Sequence, residues 1–259
     1  MLASPFSAMS VAVSPWIVRW SPRPRATVRL VCLAAAGGGA STFRDWPAML
    51  PPAIEVCAIR LPGREDRIGE RPLRDVMSIV TPLAQAVAGI ADRPFAVYGH
   101  SLGALVGFEL LRRLESMYRQ PAALFIAAGA LAPQVARSRP PIYALPDSAL
   151  KREIVRLNGT PPDVLADSEL MDMCLPTLRA DFEVVDTYAY RSGPRLVAPI
   201  LAVGGRDDPE VPDEALLEWR TQTMRGFVAQ QLPGDHFFVI SHQRALLDLV
   251  ARAVERGLA

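Results

Sequence analysis

Short runs of aliphatic residues recur along this chain, separated by stretches of helical character. They read ATVRLVCLA at 26–34, IEVCAIRL at 54–61, PFAVYG at 94–99, AALFIAAG at 122–129, PILAVGG at 199–205 and FVAQQLPG at 227–234. Strands that alternate with helices build a mostly parallel sheet, because each parallel connection must cross back over a face and a helix makes that crossing. The clearest helix is predicted over 102–119, LGALVGFELLRRLESMYR. There Leu102, Leu105, Val106, Phe108, Leu110 and Leu111 are apolar, while Arg112, Arg113 and Glu115 fall late and polar. Another is predicted for SHQRALLDLVARAVERGLA at the end of the chain, with Ser241 as its N-cap. The expected class is therefore α/β, with helices on both faces of the sheet.

One interval breaks this rhythm. Between the runs at 122 and 199 lie a Pro-rich stretch, APQVARSRPPIYALPD, and the helical pieces SALKREIVRL and SELMDMCLPTLRADFEVVDTYAY. At roughly 55 residues it exceeds an ordinary crossover, so it reads as a helical lid inserted at about 139–190. The division expected is an N-terminal extension over 1–25 followed by one domain over 26–259 that carries the lid. With 259 residues, half of them apolar, the chain can bury one substantial core.

Composition removes several functions. Lys and Arg number 28 against 27 Asp and Glu, a net charge of +1, which leaves no electrostatic footprint for nucleic acid or an anionic membrane. Cys32, Cys57 and Cys174 are odd in number, lack CxxC spacing and sit in apolar segments, as buried thiols of a reducing cytoplasm do. The opening MLASPFSAMSVAVSPWIVRW has no basic residue before Arg19 and is broken by Pro5 and Pro15, the wrong order for a secretory signal. The longest uncharged apolar run, PAALFIAAGALAP, falls short of the ~18–20 residues a membrane helix needs. A cytoplasmic location and no membrane partner are expected.

The chemistry concentrates in FAVYGHSLGAL. Gly99, His100, Ser101, Leu102 and Gly103 spell G-x-S-x-G at the join of an apolar strand and an amphipathic helix, the setting of a nucleophile elbow in an α/β-hydrolase fold. The sharp turn brings backbone close on both sides of the serine, so the flanking positions must be small. A serine hydroxyl needs a base, and the chain has three histidines: His100, His236 and His242. His100 lies inside the elbow and cannot reach round to its neighbour. His242 falls in the first turn of the last helix and reads as a surface residue. His236, in LPGDHFFVI after the last strand, fits the chain order Ser…Asp…His. The acid belongs on GGRDDPEVP, where Gly205, Asp208 and Val211 match G-x-x-D-x-x-V; Asp208 is favoured, with Asp207 the alternative. Oxyanion donors are expected from the Leu102 N–H and from the glycine tract LVCLAAAGGGAS. That tract is G-G-G rather than G-x-G-x-x-G, so a dinucleotide site is not expected there.

Taken together, the sequence resembles the type II thioesterases of polyketide and nonribosomal-peptide assembly lines, from about residue 16 to 249. The likeness rests on RLVCLAAAGGGAS, LPGREDR, GHSLGALVGFEL, LPD, LNGTP, LPTLRADF, YAYR and PGDHFF in that order. The family commonly reads P-H-A-G-G in the first loop, where this chain has Ala34, Ala35, Ala36, Gly37 and Gly38. The resemblance implies that Ala36 supplies the second oxyanion N–H, a backbone donor that survives the loss of the histidine. It implies an editing hydrolase that clears stalled or mis-primed acyl groups from the phosphopantetheine arm of acyl or peptidyl carrier domains, the arm entering under the lid. No metal and no cofactor of its own are expected, and the chain is expected to act as a monomer. The charged members of LPGREDR and LPTLRADF are expected to tie loop to lid through ion pairs rather than touch carrier or substrate. The same triad would also serve a carboxylester hydrolase or an acyltransferase, and a chain that kept the fold without catalysis would be a carrier-protein binder.

Overall fold

Each of the apolar runs becomes a strand. The computed structural model describes residues 14–137, 139–160 and 162–257. A short strand, β1 (Ile17–Val18), precedes β2 (Val28–Leu33), β3 (Ile54–Ile59), β4 (Phe95–His100), β5 (Leu124–Ala128), β6 (Ile200–Gly205) and β7 (Phe227–Leu232). They form one sheet in the order β1-β3-β2-β4-β5-β6-β7, parallel throughout except for β1, which runs antiparallel to β3. Every residue of β2 to β6 is buried, which is why these strands read as continuous apolar runs instead of alternating ones. The alternation is still present underneath: Val31 and Leu33 pack into the core on one face, Leu30 and Cys32 into the core on the other. The exception in β2, Arg29, is buried beside its register partner Glu55, with Nε to Oε2 at 2.8 Å, so its charge is compensated.

The connections are helices α1 (Trp46–Met49), α2 (Val76–Ala88), α3 (Leu102–Arg113), α4 (Asp147–Leu157), α5 (Pro162–Ala166), α6 (Ser168–Thr187), α7 (Asp213–Leu217), α8 (Phe238–Ser241) and α9 (Gln243–Gly257). Helices α2 and α3 cover one face of the sheet, while α1, α8 and α9 cover the other. Among the described residues no helix is long and apolar enough to cross a membrane. Between β5 and β6 the chain leaves the sheet for α4, α5 and α6, which share a separate cluster of Ile142, Leu150, Ile154, Leu175, Leu178 and Phe182. Helix α6 starts sharply because the Asp167 carboxylate accepts from the N–H groups of Glu169 and Leu170.

Three boundaries differ from the sequence reading. The helix expected over 102–119 keeps its α-helical hydrogen bonds only to Arg113; Leu114–Tyr118 widen into a π-helical turn that ends at Arg119 with φ of +52°. Ser241 does not cap the last helix: it ends α8, and its hydroxyl meets His242 Nδ1 at 3.0 Å. Of the extension expected over 1–25, residues 1–13 lie outside the described residues, and the rest joins the domain. Val18 pairs with Ala58, and Arg23 donates to the carbonyls of Leu50, Pro51 and Ile54. Two strand residues carry too little periodicity to be recognised, and a sheet edge is visible only once its neighbour is folded.

Candidate active site

The strand order reverses at β2: β3 lies to one side of it and β4 to the other. In open parallel sheets the loops at the carboxyl ends part at such a point and leave a crevice. The loops that meet here are the glycine tract after β2 and the elbow after β4. Ser101 joins β4 to α3 at φ +54° and ψ −112°, a conformation L-residues rarely adopt. Its backbone is over-determined: the N–H donates to Ala128 O at 2.9 Å, and the carbonyl accepts from Ala104 N and Leu105 N. A serine before a helix ordinarily caps it through the hydroxyl. In this backbone conformation Ser101 makes no such bond, and its hydroxyl is left for chemistry. The glycines follow from close approach. A Cβ on Gly99 would collide with the Gly103 carbonyl, and one on Gly103 with the Leu33 carbonyl at the end of β2.

His236 and Asp208 come from the loops after β7 and β6. His236 Nδ1 lies 2.8 Å from Asp208 Oδ2. A carboxylate only accepts, so Nδ1 carries the proton, and in the neutral ring that leaves the lone pair on Nε2. The Asp208 side chain is completely buried, and its Oδ1 accepts from the Glu210 N–H at 2.8 Å, which fixes the carboxylate from the other side. Asp207 points away: it is exposed, and its backbone N–H donates to Gly234 O at 3.0 Å. His242 lies outside the cavity lining.

Ser101 and His236 line one cavity of about 640 Å³, within the range of small-molecule sites. Its floor is the sheet and the two loops; its roof is the inserted helices, through Ile154, Leu157, Leu170, Met173, Cys174 and Leu178. Ser101 and His236 make no hydrogen bond with each other; catalytic bonds of this kind tighten in complexes with substrate. The glycine tract forms a turn closed by Gly38 N–H to Ala35 O at 2.9 Å, with Gly37 at φ +76°. Among the described residues, the N–H groups of Ala36 and Leu102 donate to no protein acceptor. Ala36 lines the cavity, and Leu102 follows Ser101 and opens α3, whose N-terminal dipole favours negative charge.

One participant escaped the sequence reading. His100 is buried, and its Nε2 lies 2.8 Å from the carbonyl oxygen of His236. A carbonyl accepts, so Nε2–H donates, and the ring tethers the main chain of the residue opposite Ser101. Burial pushes the His100 imidazole down to about 3, with His236 close by acting in the same direction, so it stays neutral in this role. The signal available in the sequence was a histidine ending an otherwise apolar, fully buried strand.

The parallel sheet with its reversal at β2, the elbow and the inserted helices define an α/β-hydrolase. The thioesterase domain family matches residues 28–255, and the chain belongs to it. It is a thioesterase. The gramicidin S biosynthesis protein GrsT of Aneurinibacillus migulanus is 40% identical over 248 residues, covering 95% of this chain and 96% of that one. Among solved structures, the type II thioesterase BorB from the borrelidin biosynthetic cluster superposes with a TM-score of 0.86 at 35% identity, over 92% of this chain and 97% of that one. YbtT, a type II thioesterase from the yersiniabactin NRPS/PKS pathway, superposes with a TM-score of 0.84 at 28% identity, over 94% and 100%. The chain stands with the type II thioesterases of such pathways.

Proposed function

We propose that this thioesterase acts on acyl groups carried as phosphopantetheine thioesters by acyl or peptidyl carrier domains, and that Ser101, His236 and Asp208 are its triad. Ser101 Oγ attacks the thioester carbonyl carbon while His236 Nε2 takes the hydroxyl proton. The oxyanion is received by the N–H groups of Ala36 and Leu102. Collapse of the intermediate breaks the C–S bond, the imidazolium returns its proton to the departing thiolate, and an acyl-serine remains. Water then attacks with His236 again as base, releasing a carboxylic acid and the free serine. Asp208 holds the Nδ1–H tautomer and the orientation of the ring through both half-reactions. The protein needs no cofactor for these steps, since every proton moves between serine, histidine, thiol and water.

The observation that carries this reading is the 2.8 Å bond between Asp208 and His236 on the wall of the cavity that holds a strained, uncapped Ser101. The carrier-bound substrate and the editing role are supported by the relatives' place in biosynthetic clusters. The apolar roof suits an acyl chain, with room in about 640 Å³ for part of the pantetheine arm. The test is turnover of carriers loaded with acetyl, propionyl, malonyl and longer acyl groups, followed by mass spectrometry for wild type and Ser101→Ala. The variant should retain only the residual rate that binding and the oxyanion donors provide, about 10³–10⁴ over water in studied triads. Near-normal turnover by Ser101→Ala would overturn the mechanism. Faster cleavage of the matching oxygen ester, or transfer to an added alcohol or amine, would move the substrate class.

A further inference from the structure

The segments LPGREDR and LPTLRADF meet at one buried ion pair. Arg64, from the loop after β3, presents Nη2 to Asp181 Oδ1 at 2.7 Å and Nη1 to Oδ2 at 2.9 Å, a two-pronged contact with a residue on α6. Both residues are buried. The pair does more than join loop to helix. Asp181 Oδ2 also accepts the N–H of Gly37 at 2.7 Å, and Arg64 Nη1 donates to the carbonyl of Gly38 at 2.8 Å. The turn that contains Ala36 is thus gripped through two consecutive residues, one by its donor and one by its acceptor. The same face of α6 closes on it elsewhere. Leu178 fills the space a Gly37 side chain would need, and the Thr177 hydroxyl donates to Gly63 O at 2.6 Å.

A buried ion pair is weak evidence for stability, because apolar residues of similar volume often do as well. This one is not fully satisfied either: Arg64 Nε is buried without a partner among the described residues. What an apolar pair could not supply is directional bonding to the turn. Positions 34 and 35 carry only methyl groups, so the turn has no side chain there to anchor it from within. We propose that Asp181, braced by Arg64, is a positioning residue for the oxyanion site: it sets the direction of the Ala36 N–H from the lid helix. The oxyanion site is then complete only while α6 is seated on the glycine turn. This deepens the proposed mechanism and rests on it.

The experiment replaces the pair by apolar residues of similar size, Arg64→Met with Asp181→Leu, in the full chain. It measures kcat and KM on an acyl-pantetheine thioester, Ki for a trifluoromethyl ketone analogue that adds the serine hydroxyl to form a tetrahedral oxyanion, and the melting temperature. A misdirected donor should lower kcat about 10- to 100-fold and weaken the ketone by a similar factor, with KM within about twofold and melting little changed. A purely structural pair would shift melting and leave kcat and Ki alone; that result overturns the proposal. Asp181→Glu keeps both charges and only lengthens the arm, and it decides the matter if the double variant does not fold. About a tenfold loss in kcat at unchanged KM is expected for it, and unchanged kcat and Ki refute the assignment. Absence of thioester turnover by the wild type would instead strike at the mechanism above.

Discussion

Asp208→Asn offers the sharpest test of the triad, because the structure fixes what the amide would do. The Asp208 carboxylate sits between two donors, the Glu210 N–H at 2.8 Å and His236 Nδ1–H at 2.8 Å, and its side chain is fully buried. An asparagine of the same shape has one acceptor for these two donors. With its oxygen toward Glu210, the amide NH2 faces His236 Nδ1, which must then accept, and the ring proton moves to Nε2. Nε2, the proposed acceptor of the serine proton, then becomes a donor and can no longer take it. The corresponding change in a serine-protease triad lowers kcat by about 10⁴ through the same tautomer error, equivalent to ~5 kcal/mol of barrier. Asp207→Asn, at an exposed residue whose side chain contacts nothing in the site, should stay within about twofold of wild type. Release of pantetheine thiol from an acyl-pantetheine, followed with a chromogenic disulfide, measures both. Asp208→Asn protein with more than about a tenth of wild-type kcat, or equal losses in the two variants, would refute the assignment.

Two further outcomes follow from the elbow. Gly103→Ala drives a methyl group into the Leu33 carbonyl and should cost about 3 kcal/mol, lowering the melting temperature by about 6–12 °C, whereas Gly69→Ala, in open space, should change neither; calorimetry distinguishes them. Burial holds the folded His100 down at about 3 while the unfolded chain titrates near its ordinary value of ~6.5. Between those values the unfolded state binds a proton that the folded state refuses, so stability is present above the window and declines as pH falls through it, by up to ~1.4 kcal/mol per pH unit. His100→Gln keeps a donor for the His236 carbonyl and should remove about 2 kcal/mol of the difference in urea stability between pH 7 and pH 5; an unaltered difference would show that His100 is not the group responsible.

Several of these features could be read from the chain because they are local. A strand buried on both faces of a parallel sheet must be apolar at nearly every position, so β2 to β6 stand out as short runs. The elbow carries its own signature, since backbone crowding excludes side chains from Gly99 and Gly103 whatever the rest of the protein does. With three histidines to choose from, chain order pointed to His236, which lines the same cavity as Ser101. The inserted helices were visible as an interval too long for a crossover, although α5 was not, being a single short turn.

Other features depend on which segments meet, and periodicity is silent about that. Asp207 and Asp208 are chemically identical neighbours; only the path of the loop after β6 turns the second inward to His236. His100 could be dismissed as a base from its place beside the serine, yet its bond to the His236 carbonyl joins residues 136 positions apart. Asp181 and Gly37 lie 144 positions apart, and Arg64 and Asp181 lie 117. The charges in LPGRE and LRADF announced that an ion pair was possible, but not that it would close on the turn bearing Ala36. By itself the sequence determined the central strands, the class of fold and the residue types available for chemistry, because burial and turn geometry impress themselves on neighbouring residues. Tertiary structure alone decided which of those residues share a hydrogen bond, because donors and acceptors find partners only after the sheet, its loops and the lid have packed.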